Sequence, residues 1–189
     1  MPSLSVIAAG EYHRAAVGTT ADARLHMAYI IVALSTIAFP GVNVLLLRWY
    51  GAVSTLDVRK RRERFAPYIS SFFFFVLGYI LLRRGALPPT IPAVMLGTTV
   101  TLILLAAINS VMKISAHAAG AGGFAGTVVA LSTVYGIFDA GLIAFSVLMA
   151  GFVISARLIL GVHTPREAYW GAGIGFCTLF VFVFRGLAI

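Results

Sequence analysis

Six blocks of nearly continuous apolar residues divide this chain, at 27–47, 65–82, 90–112, 118–138, 140–160 and 165–184, and most of its charges fall in the short stretches between them. Each block comes near the roughly 20 residues that a helix needs to cross a ~30 Å hydrocarbon core. The pattern therefore predicts an all-α polytopic membrane bundle of six transmembrane helices. The fourth and fifth blocks are parted only by Asp139, with Gly136 and Gly141 beside it. One helix over both would be about 65 Å long at ~1.5 Å per residue, roughly twice the membrane, so a tight turn at Asp139 is expected. Pro40-Gly41 predicts a kink in the first helix, and Pro88-Pro89 ends the connection between the second and third.

Residues 1–26 are interrupted by Glu11, His13, Arg14, Asp22 and Arg24 and have no basic start leading into an apolar core. They do not read as a signal peptide but as an N-terminal tail, short and interfacial or loosely ordered, ahead of a single membrane domain over 27–189. His13 and His26 fall in the same interfacial class. Counting crossings puts the loops after the first, third and fifth helices on one face. Both termini and the turns at Arg83-Arg84 and Asp139 then share the other.

With 189 residues, 60% of them hydrophobic and 11% charged, the chain is too apolar for a soluble domain and suits one integral membrane unit. A formal net charge of +8 would suggest nucleic acid as the partner of a soluble protein. Here much of that charge sits in Arg59-Lys60-Arg61-Arg62-Glu63-Arg64 between two apolar blocks, so anionic lipid headgroups are the nearer partner and nucleic acid is not expected. The lone Cys177 cannot form an intramolecular disulfide and reads as a small buried hydrophobe.

Against this background two polar clusters stand out. The first is Lys113-Ile114-Ser115-Ala116-His117, at the start of the fourth helix; the second runs from Arg157 through His163 to Glu167, at the end of the fifth helix and the start of the sixth. Cations, imidazoles and a carboxylate are costly beside lipid and suggest a site. By the crossing count both clusters and the basic loop share one face. The fourth and sixth helices also begin on that face, where free amides and the helix dipole favour anions. Arg157 can fork onto phosphate oxygens. His163 and Glu167 are four residues apart, so the carboxylate can reach back to the ring. Thr164-Pro165-Arg166-Glu167 is also a helix-capping box. Gly120, Gly122, Gly123 and Gly126 suit close helix packing.

Ser-Ala-His followed by Arg-x5-His-x3-Glu resembles the type 2 phosphatidic acid phosphatase (PAP2) family, within the acid phosphatase and vanadium haloperoxidase superfamily, whose signatures read Ser-Gly-His and Arg-x5-His-x3-Asp. The resemblance implies a metal-independent membrane phosphatase without a cofactor, acting on a lipid phosphomonoester or pyrophosphate. His163 would be the nucleophile that forms a phosphohistidine, Glu167 its orienting partner and His117 the general acid. Arg157, Ser115 and Ala116 would line the phosphate. Two motif positions differ, Ala116 for Gly and Glu167 for Asp. The family's Lys-x6-Arg-Pro signature is not matched, because alignment on Pro67 puts Arg59 at its Lys but Ala66 at its Arg. Arg64 and Lys113 are the candidates for the missing positive charge. If the fourth helix extends back through Ile114, Lys113 shares a face with His117 and opposes its protonation.

The implied localisation is multi-pass in the cell membrane, with a lipid phosphate as substrate and membrane lipids as surroundings. Two alternatives stay open: a lipid phosphotransferase using the same site, and a non-catalytic lipid-binding or transport protein that keeps the charges to capture headgroups. The cations are slightly more numerous on the motif face. With Arg64, Lys113 and Arg157 set aside as phosphate ligands the two faces are nearly balanced, so the positive-inside rule leaves both orientations open.

Overall fold

A computed structural model describes residues 1–17, 23–55 and 61–186. The described residues form seven α-helices: α1 (Pro2–Val17), α2 (Ala23–Trp49), α3 (Phe65–Arg84), α4 (Thr90–Asn109), α5 (Ala116–Tyr135), α6 (Ala140–Ile159) and α7 (Pro165–Arg185). The described residues include no β-strand. Helices α2 to α7 are long and apolar enough to cross a membrane, as expected for a multi-pass helical bundle.

Local chemistry sets the helix ends. Gly136 ends α5 in the left-handed region at φ 66°, and the Asp139 carboxylate caps α6 by accepting from the Leu142 amide at 2.9 Å. The tight turn anticipated there is present. Pro40 has no amide proton and its ring crowds the preceding turn, and α2 absorbs this by widening into a π turn over Leu34–Ala38.

The most buried span is α5, and it packs chiefly against α7. Small residues make this possible. A Cβ on Gly122 or Gly126 would collide with the carbonyl oxygens of Ala172 or Phe176, and one on Gly175 with that of Ala119. The two backbones are therefore in near contact, the packing anticipated for the glycine-rich stretch. Gly120 differs, since it faces Met1 instead.

The N-terminal region departs from the expected interfacial or loosely ordered tail. Residues 2–17 form α1, which lies against α5 and α4 with Val6 and Ala9 fully buried and Tyr12 nearly so. The Tyr12 hydroxyl lies 2.7 Å from Ser132 Oγ. Val6, Ala9 and Tyr12 recur every three residues and, with Ser5, Ala8 and Gly10, form one buried face, while Glu11 and Arg14 pair with each other. Average hydropathy hides a face built partly from Ser5, Ala8 and Gly10. Because α1 runs alongside α5, Met1 sits beside Gly120, toward the motif face and not on the opposite face given by the crossing count. Cys177 is also exposed, not buried, on the outer side of α7.

Candidate functional site

Three loops meet at one end of the bundle. Arg64 ends a short 3-10 turn (Arg61–Arg64) leading into α3 and is buried, with Nη1 donating to the Ile114 carbonyl at 2.9 Å. Lys113 Nζ donates to the Val162 carbonyl at 2.6 Å. The Ser115 amide donates to the Glu167 carbonyl at 3.3 Å. These bonds join the loops after α2, α4 and α6, so the two motifs and Arg64 share one face as the crossing count required. Arg59 and Lys60 of the basic loop lie outside the described residues.

His163 sits at the centre of this cluster and is buried at 7% exposure. Its Nδ1 lies 2.9 Å from Oε2 of Glu167, which also accepts from the Thr164 amide at 3.2 Å. The Glu167 amide in turn donates to Thr164 Oγ1 at 3.4 Å, completing the capping box. One carboxylate thus both starts α7 and holds the imidazole. With an ionised carboxylate as acceptor, Nδ1 carries the proton and Nε2 keeps its lone pair.

Burial pushes the His163 pKa below the ordinary histidine range; the hydrogen bond that its Nδ1 donates to Glu167 pulls the other way, Arg64 and Lys113 add to the lowering, and the charge of Glu167 again opposes it. The net direction is downward, which favours the neutral ring at neutral pH.

Ser115 is fully buried and caps α5, its Oγ accepting from the Ala118 amide at 3.3 Å. That leaves its hydroxyl proton to offer to an anion. Ala116 and His117 follow in the first turn of α5, both exposed, and both line a cavity of about 350 Å³ with Gly120 and Leu105. Arg157 is half-buried in the last turn of α6, and its Nε is shielded from solvent without a hydrogen-bond partner among the described residues.

Lys113 departs from expectation. The helix starts at Ala116, and Lys113 lies before it in irregular chain, so no shared helical face joins it to His117. Ser115 is the physical cause, because a capped helix begins after its cap. The electrostatic partner of Lys113 is His163.

One residue of the cluster escaped sequence reasoning. Tyr68 is buried one turn beyond Arg64 and hydrogen-bonds its guanidinium. The four-residue spacing was the available signal, but a tyrosine near a helix start is too common to single out. Among the described residues no three His, Cys, Asp or Glu side chains gather where they could hold a metal ion. Compared with family models, curated proteins and solved structures, the chain has no match. The fold and cluster define a multi-pass helical membrane protein with a buried histidine held by a half-buried glutamate, and Arg64 and Lys113 nearby, at one end of the bundle.

Proposed function

We propose that this protein is a membrane lipid-phosphate phosphatase of the type 2 phosphatidic acid phosphatase kind, working through a phosphohistidine at His163. The observation that carries the reading is the state of that ring: buried, with Nδ1 engaged by Glu167 and two cations close enough to disfavour its protonation. Few structural roles need a histidine held neutral with one nitrogen open. A nucleophile needs it.

In the first step Nε2 of His163 attacks phosphorus, the bond from phosphorus to the lipid oxygen breaks, and His117 gives its proton to that oxygen. Water then attacks the phosphohistidine, losing a proton to the now neutral His117, and the P–N bond breaks to return His163 and release phosphate. The amides at the starts of α5 and α7, with Arg64, Lys113, Arg157 and the Ser115 hydroxyl, are the groups that would bear the phosphoryl charge. The unpartnered Nε of Arg157 fits this role, since an anion would give it a partner. Arg64 and Lys113 stand in for the unmatched Lys-x6-Arg-Pro signature. The substrate is a lipid phosphomonoester or pyrophosphate, and the location proposed is the cell membrane.

The test is turnover of lipid phosphates by purified protein, with His163→Ala as control. Phosphate release by the wild type and a loss of at least ~10³-fold in the variant, with unchanged chromatographic behaviour, is the expected result. Turnover by His163→Ala near the wild-type rate would overturn the assignment, and absence of turnover across lipid phosphates would favour headgroup capture without chemistry.

A further inference from the structure

At the opposite end of the bundle from His163, the last turns of α3 and α7 and the first turns of α4 enclose a groove of about 510 Å³. Its size falls within the ~300–1,000 Å³ of ligand pockets. Leu87, Leu96 and Phe182 give it apolar walls, and Tyr79, Arg83 and Arg185 also line it. Close packing of α7 on α4 makes the floor: a Cβ on Gly186 would lie 2.5 Å from that of Ala93, and one on Gly97 would lie 3.0 Å from Phe182.

Both guanidiniums are exposed, and Arg83 is steadied by a hydrogen bond of 3.3 Å from Nη1 to the Tyr79 hydroxyl. Neither arginine pairs with a carboxylate among the described residues. Position at helix C-termini gives each a favourable dipole interaction. That does not account for two unpaired cations lining one apolar groove at a membrane boundary. An acyl chain fits the walls, and the two positive charges select a headgroup with net negative charge over a zwitterionic one.

We propose that this groove binds an anionic phospholipid of the surrounding bilayer, its acyl chain along Leu87, Leu96 and Phe182 and its phosphate on Arg83 and Arg185. The site is independent of the chemistry at His163.

The test compares retention of phosphatidylglycerol and phosphatidylcholine with identical chains by the purified full chain, using native mass spectrometry in neutral detergent. Wild type should retain phosphatidylglycerol about tenfold more tightly. Arg83→Gln with Arg185→Gln should bring it down to the phosphatidylcholine level, and Leu96→Trp, which fills the groove, should weaken both. Arg48→Gln, at an exposed cation of the other end, should leave the preference intact. Should the double variant not purify, Arg185→Gln alone should give a partial loss. Equal retention of the two lipids by wild type overturns the proposal. So does a preference that survives the Arg83 and Arg185 substitutions but disappears in Arg48→Gln, since the lipid would then sit at the motif face.

Discussion

The backbone amide of Ser115 donates to the carbonyl of Glu167 at 3.3 Å, joining the residue that caps α5 to the residue that orients His163. Two sequence clusters parted by a whole helical hairpin are thus joined through their backbones. Just inside that junction, a Cβ on Gly171 would come within 2.6 Å of the Ser115 carbonyl oxygen. The geometry of the site therefore rests on how closely α5 and α7 approach.

That dependence gives the first prediction. Gly175→Leu should push α7 off the Ala119 carbonyl, lower the thermal midpoint by several degrees through an overpacking cost of about 1–3 kcal/mol, and reduce turnover together with it. Gly173→Leu, where nothing lies within 4 Å of a Cβ, should change neither. Thermal unfolding in detergent and phosphate release check both.

Glu167 orients His163 and caps α7, and the two roles separate by substitution. Glu167→Gln keeps the length of the side chain but can turn its amide to accept from His163, so it should keep the fold and cost about 10–100-fold in kcat as the imidazole loses its charged partner. Glu167→Asp is one methylene short of Nδ1 and should lower kcat similarly. If both variants match wild type, Glu167 serves only as a cap.

The pH profile follows from the lowered pKa of His163. The proposed nucleophile must be neutral, so activity should rise with pH through a limb below the ordinary histidine range. Lys113→Met removes a positive charge that disfavours protonation, so it should move this limb to higher pH and weaken vanadate binding; Lys113→Arg should restore part of both. An acid limb unmoved in Lys113→Met would assign Lys113 only to its bond with the Val162 carbonyl.

His117 is tested by leaving group. Poor alkoxide leaving groups need a proton and aryl oxides do not, so His117→Ala should cost about 10²–10⁴-fold on a lipid phosphate and far less on an aryl phosphate. Equal losses on the two substrates would remove the general-acid role.

Six spans, the turn at Asp139 and the shared face of the two motifs were all legible in the sequence, because span length, helix punctuation and crossing parity are local or additive properties. The His163–Glu167 pair was legible for the same reason, since four residues make one helical turn. Other features depended on neighbours distant in sequence. Val6, Ala9 and Tyr12 draw α1 into the bundle because α5 and α4 offer a surface for them. Lys113 reaches Val162 and His163 because the Ser115 cap ends the helix before it and the glycines of α5 and α7 bring the two loops together. Tyr68 became part of the cluster only when Arg64 folded inward onto Ile114. Sequence alone marked the candidate residues and the face they share; close packing of backbones, which no local pattern encodes, decided which of them touch.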